Sequence, residues 1–210
     1  MKRISFLTLG LLFIVGSSCK EVKKDKERPL KEIVSENYTL VKDSTKVSFT
    51  AYKTSEKLPV GGKFMKINIK DSKNGATALE ALNGTEFGIP VSSLFTNDAT
   101  GTRDPKLLEF FFGAMQDTEI ISGVFKTDAD NKCSIDVTMN GETFDIPLEY
   151  VINTETSITF KGTLNLEDWN ALEAVNSINN ACKELHTGKD GVSKTWTEVA
   201  VQAQVLLTKN

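Results

Sequence analysis

"CSIDVTMNGETFDIPLEYVI", residues 133 to 152, decides the class of fold. Apolar side chains stand at Cys133, Ile135, Val137 and Met139, and again at Phe144, Ile146, Leu148, Tyr150 and Ile152. A repeat of two is that of a strand with one dry face and one wet face. Between the runs stands Asn140-Gly141, and a two-residue hairpin turn needs left-handed backbone at both positions, which these residue types tolerate best. The stretch predicts an antiparallel hairpin.

The same alternation spreads outward in both directions. "KVSFTAY" groups Val47, Phe49 and Ala51, "EFGIPV" groups Phe87, Ile89 and Val91, and "EVAVQAQVLL" groups Val199, Val201, Ala203 and Val205; "SITFKGTLNL" behaves alike. Turn signals punctuate them at "VGG" (60 to 62), "DSKNG" (71 to 75) and "DADNK" (128 to 132). About six to eight antiparallel strands joined by hairpins predict a sandwich or a closed barrel.

Two segments change period. "RDPKLLEFFFGAM", residues 103 to 115, offers Asp104 as N-cap and Pro105 at the first helical position. At about 100° per residue, Leu107, Leu108, Phe110, Phe111, Phe112 and Met115 cover roughly twice the arc that a helix lying on a core requires. This helix is expected either to be buried on two sides or to turn one side toward a space that something else fills. A second helix is expected from Asp168 to His186, with Trp169, Leu172, Val175, Ile178, Cys182 and Leu185 at helical spacing and Gly188 as the stop.

The N-terminus reads as a targeting segment. Lys2 and Arg3 precede an apolar run from Ile4 to Val15, too short to span a bilayer comfortably, and small residues lead into Cys19. This layout is similar to the lipobox of bacterial lipoproteins, which implies removal of residues 1 to 18 and acylation of Cys19; an ordinary cleaved signal peptide with a free thiol is the alternative. Residues 20 to 36 mix six basic with five acidic side chains and read as a solvated tether. The remainder, residues 37 to 210, reads as one domain.

Without residues 1 to 18 the chain carries 23 basic and 28 acidic side chains, a balance of −5. A mildly acidic chain without a basic block is a poor nucleic-acid binder. Cys133 and Cys182 remain in an exported chain, where a disulfide between them is allowed; Cys133 fits equally well as a small buried apolar residue on a strand.

The chain resembles the YceI-like, polyisoprenoid-binding family of bacterial envelope proteins. The matching stretches are "DSTKVSFTAYK", "VGGKF", "IPVSSLFTNDATGTRDPKLLEFFFG" and "CSIDVTMNGETFDIPLEYVI", in order over residues 38 to 208. The resemblance implies a mainly β fold, an antiparallel up-and-down, lipocalin-like β-barrel whose channel holds an isoprenoid chain without catalytic residues. Where the family often has "R-x-D-[WF]-G" this chain reads "LEDWNAL", and Lys106 stands where a histidine is usual after "R-D". The helix to Leu185 with "HTGKDGVSKTW" looks like an insertion near the C-terminal third.

Ten phenylalanines remain after residue 18, and Phe49, Phe64, Phe87, Phe110, Phe111, Phe112, Phe125 and Phe160, with Leu107, are the candidates to line an interior. The alternative is that they fill it and the protein is a solid-cored envelope scaffold with no small-molecule ligand. Arg103 is the candidate for a polar head group, by a fork of hydrogen bonds. His186 lies four residues after Cys182, but two ligands do not close a zinc site. "DADNKCSIDVTM" lacks the glycine and the final acid of a calcium loop. There is no G-x-S-x-G, P-loop or G-x-G-x-x-G, so neither metal, cofactor nor enzymatic activity is expected. The expected partners are a long-chain apolar lipid, a membrane reached through Cys19, and no nucleic acid; a homodimer is left open.

Overall fold

The computed structural model describes residues 37 to 210. The targeting segment, Cys19 and the tether of residues 20 to 36 lie outside the described residues. Among the described residues, twelve strands form one antiparallel sheet with the order β4-β6-β8-β9-β10-β11-β12-β2-β3-β7, and β1 and β5 add to the side of β12. They are β1 (Tyr38–Leu40), β2 (Lys46–Lys53), β3 (Leu58–Phe64), β4 (Asn68–Ile69), β5 (Asn74–Gly75), β6 (Glu86–Pro90), β7 (Leu94–Phe95), β8 (Ile120–Thr127), β9 (Cys133–Met139), β10 (Glu142–Thr154), β11 (Ser157–Asn165) and β12 (Glu198–Lys209).

The hairpin of residues 133 to 152 forms as its alternation demands. Met139 faces Glu142, Val137 faces Phe144, Ile135 faces Ile146 and Cys133 faces Leu148. Asn140 and Gly141 both take positive φ, 52° and 75°, the mirror-image turn that suits the right-handed twist of the strands. The Asn140 side chain also accepts from the Gln116 amide and donates to the Trp169 carbonyl, at 2.8 and 2.7 Å. One turn residue thus ties the hairpin to two helical segments.

The sheet curls but does not close, so the expected closed barrel gives way to an open half-barrel. Its end strands β4 and β7 are two residues long and pair only with β6 and β3. The ladder that would join the ends is broken at residues 65 to 67 and by a 3₁₀ turn at Val91–Ser93 that follows Pro90, a residue with no amide proton to give. One backbone bond, Met65 N–H to the Ser93 carbonyl at 2.8 Å, spans the break.

Among the described residues four α-helices replace the expected two: α1 (Ala78–Leu82), α2 (Arg103–Lys106), α3 (Leu172–Ala181) and α4 (Lys183–His186). The α1 helix starts with a capping box, Thr77 Oγ1 accepting from the Glu80 amide while the Glu80 carboxylate accepts from that of Thr77. It packs Leu79, Ala81 and Leu82 with Tyr38, Leu40, Phe125, Phe160, Val205 and Leu207 over one end of the sheet. At the other end, the expected helix of residues 168 to 186 starts four residues late and breaks at Cys182. The phase of its buried face shifts accordingly: Ala174, Val175 and Ile178 are buried, whereas Leu172 and Leu185 are exposed.

The segment after Thr102 is helical in three styles, α over Arg103–Lys106, π over Leu107–Phe111 and 3₁₀ over Phe112–Ala114. Asp104 is not its cap. The amides of Thr102 and Arg103 are taken by Asp98 Oδ2, at 3.1 and 3.2 Å, while Asp104 accepts from the amide and hydroxyl of Thr96. No helix among the described residues is long and apolar enough to cross a membrane.

Candidate functional site

The curled sheet and the helices at its two ends surround a cavity of about 640 Å³. Its wall is apolar over most of its extent, built from inward residues of alternating strands, among them Val47, Phe49 and Ala51 of β2, Ile135 and Val137 of β9, and Val199, Val201, Ala203 and Val205 of β12. That volume lies within the range of small-molecule sites, roughly 300 to 1,000 Å³.

The aromatic side chains border the space because glycines let them lie against the sheet. Phe49 pairs across the ladder with Gly62, where a Cβ would fall 2.4 Å from the phenyl Cζ. Phe87 pairs in the same way with Gly123, whose Cβ would come within 2.6 Å of that ring. A methyl group at either glycine would push the ring off the wall and into the hollow. Phe125 and Phe160 stack edge to face, centroids 5.0 Å apart, near the end covered by α1.

The π turn answers why one short segment carries so many apolar residues. The Phe112 amide donates to the Leu107 carbonyl, five residues back, and Leu107, Phe111 and Phe112 all line the cavity. Leu108 and Met115 pack with Val91 and Leu94. Phe110 departs from the expected lining set: it borders a separate outer groove with Glu173, Asn176, Ser177 and Asn180 of α3. The remaining candidates, Phe49, Phe64, Phe87, Phe125, Phe160 and Arg103, all border the cavity.

Arg103 is already answered by a carboxylate, its guanidinium lying 3.5 Å from Asp98. The Thr100 hydroxyl, with the amides of Arg103 and Thr102, holds the Asp98 carboxyl below the usual carboxylate range. Sequence reasoning missed two other cations at this end, Lys53 at the close of β2 and Lys106 at the close of α2, and it gave no role to Thr100, Thr102, Thr195 or Trp196; all six line the cavity. Only the "K" after "R-D-P" was visible as a departure from a familiar pattern.

His186 also lines this end. Its Nδ1 lies 2.7 Å from Thr195 Oγ1, whose single proton goes to Asn179 Oδ1 at 2.9 Å. Nδ1 is therefore the protonated nitrogen, and Nε2 is left as an acceptor. Burial, then the charges of Lys53 and Lys106, lower the His186 pKa to about 4, so the ring is neutral at pH 7.

Cys133 and Cys182 are both buried free thiols, so of the two readings left open by the sequence the unbridged one is the one found. Cys133 packs in the cluster under α1, and burial raises its pKa; Cys182 lines the cavity at the opposite end, below His186. Among the described residues no group of three histidine, cysteine, aspartate or glutamate side chains could hold a metal ion.

Two hydroxyls on the wall, those of Thr45 and Thr85, have no hydrogen-bond partner, and Thr85 is only 5% exposed. An unpaired buried hydroxyl costs about 1 to 3 kcal/mol, so replacing it with an apolar group of the same shape removes the cost. Thr85→Val is expected to raise the unfolding free energy of the lipid-free protein by about 1 kcal/mol in urea titrations. Lower stability in the variant would mean that the hydroxyl is satisfied in solution.

No protein-family model and no curated protein matches the chain. Solved structures do. A polyisoprenoid binding domain from Saccharophagus degradans is 12% identical with a TM-score of 0.56, covering 82% of this chain and 98% of that one. BcnA from Burkholderia cenocepacia is 16% identical with a TM-score of 0.48, covering 78% and 96%. The YceI protein of Campylobacter jejuni is 18% identical with a TM-score of 0.45, covering 72% and 84%. At these identities the likeness is one of fold: the architecture resembles, distantly, that of a polyisoprenoid-binding domain.

Proposed function

We propose that the protein binds a long-chain apolar lipid of the polyisoprenoid kind in its cavity, and so sequesters or carries it without altering it chemically. The observation that carries this reading is the hollow interior, about 640 Å³ and apolar on nearly every side. The fold likeness to a polyisoprenoid binding domain is in keeping with it. The solid-cored scaffold alternative conflicts with that volume. Allowing each carbon the ~30 Å³ of a water molecule, the cavity holds roughly twenty carbons. Burial at about 0.8 kcal/mol per methylene leaves ample affinity after the cost of ordering chain and protein.

The second part of the proposal is an envelope location, with residues 1 to 18 removed, Cys19 acylated, and residues 20 to 36 as a charged tether. Mass spectrometry of the mature N-terminus is expected to find the mass of an acylated Cys19; an unmodified thiol there would remove the anchor from the account.

Trp196 lines the cavity, whereas Trp169 is fully buried outside it, so Trp196 fluorescence reports occupancy. Titration with isoprenoid alcohols of ten, fifteen and twenty carbons is expected to show affinity rising at least about tenfold per five-carbon unit. Trp196→Phe should abolish the signal. Affinity that ignores chain length would contradict burial in an elongated hollow.

A further inference from the structure

The walls of the cavity are not alike at its two ends. Leu40, Leu82, Phe125 and Val205 line the end under α1. At the opposite end Lys53 closes β2, Lys106 closes α2 and His186 closes α4, three termini far apart in sequence that border one opening. Backbone pairing places Lys53 opposite Thr195, which is hydrogen-bonded to His186.

Nearby cations are otherwise engaged: Lys194 lies over the Trp196 ring, 3.5 Å from its centroid, and two others have carboxylate partners. Arg103 lies 3.5 Å from Asp98, and Lys57 lies 2.9 Å from Glu198. Among the described residues no ion pair engages Lys53 or Lys106. Glu173 shares the outer groove with Lys106 without pairing with it. The neutral His186 brings no compensating charge. Both lysines are half-buried at the edge of an apolar hollow, where a charge is less well screened than in open water.

We infer that the bound lipid carries an anionic head, a phosphate or a carboxylate, which sits between Lys53 and Lys106 while its tail fills the hollow. This rests on the lipid-binding reading above and adds the chemistry of the head. An anion there answers both ammonium groups with charge-assisted hydrogen bonds, and the lysine stems remain against apolar wall while their tips meet the head at the water boundary. An uncharged head would leave both cations unanswered. Arg103, held by Asp98, is a lesser contributor.

The test compares geranylgeranyl monophosphate with geranylgeraniol, and palmitate with hexadecanol, by Trp196 fluorescence on the purified protein. Geranylgeranyl monophosphate is expected to bind about tenfold or more tighter than geranylgeraniol. The Lys53→Gln/Lys106→Gln double variant should erase that ratio while keeping geranylgeraniol affinity within about twofold, which also certifies an intact cavity. Should the double variant lose geranylgeraniol binding, each single variant is read instead and is expected to lower the ratio part of the way. Arg103→Gln should keep most of the ratio. A gain by palmitate over hexadecanol equal to that of the phosphate identifies a head site that accepts carboxylates, and a gain confined to phosphate identifies a phosphate site. A ratio near one, or a ratio that survives loss of both lysines, overturns the inference while leaving the cavity reading standing. Failure of both the alcohol and the phosphate to bind overturns the two together.

Discussion

Ala203→Trp is expected to weaken binding of a twenty-carbon isoprenoid alcohol by about a hundredfold or more while leaving the protein folded. Ala203 lies on β12 between Phe160 and Val47 and faces the hollow with Val201 and Val205. An indole there displaces at least four methylenes of guest, and at about 0.8 kcal/mol each that is about 3 kcal/mol, or some two powers of ten in affinity. In a packed core such an enlargement would cost about 1 to 3 kcal/mol in stability. Here the space is already present, so the melting temperature should hold or rise. Binding within threefold of the parent would place the guest elsewhere, and a collapse in stability would show that the interior has no room. The two readouts separate a hollow from a filled core, which is the distinction the function turns on.

The largest effect on stability is expected at Trp169. It is 1% exposed, packs with Val137, Met139, Ile146, Leu166 and Val175, and meets the Phe144 ring at a centroid distance of 5.4 Å. Its indole N–H donates to the Val137 carbonyl at 3.0 Å, fastening the segment that leads into α3 onto the hairpin. Trp169→Ala removes this packing and leaves a buried carbonyl with one partner fewer, at a cost of about 3 to 5 kcal/mol. For a domain of this size that lowers the melting temperature by about 10 °C or more. Calorimetry checks it, and a shift under about 3 °C would mean that the helical end is not integral to the fold. His186 on α4 and Cys182 between α3 and α4 line the cavity at that end, so the variant should loosen lipid binding as well.

The hairpin of residues 133 to 152 was legible because its evidence is local: period two on both sides and a turn dipeptide whose φ angles are almost dictated. The surplus of apolar residues in 103 to 115 was legible too, as a helix with too wide a greasy arc. The π turn, with Leu107, Phe111 and Phe112 on the cavity and Phe110 on the outer groove, was not, since a switch from α to π hydrogen bonding leaves no mark on the spacing of apolar residues. The α1 helix left a signal in "TALE", where Thr77 and Glu80 have capping-box spacing, but five residues are too few for a periodicity to stand out. The open edge of the sheet depends on where two short strands stop, a long-range matter on which alternation is silent. Glycines 62 and 123 hold the most useful overlooked information. Opposite Phe49 and Phe87 they decide whether rings line a hollow or fill it, and that becomes readable only once the strand register is known. That Lys53 and Lys106 lack a carboxylate partner among the described residues is likewise invisible until these two residues, some fifty positions apart, meet at one opening.

Native mass spectrometry of the protein purified from the cells that produce it, before and after adding geranylgeraniol, tests the occupied interior most directly. The account predicts a one-to-one complex that carries the mass of a single lipid and gives way to geranylgeraniol as it is added. Protein that emerges free of lipid and stays free of it at saturating isoprenoid of every length would contradict the account.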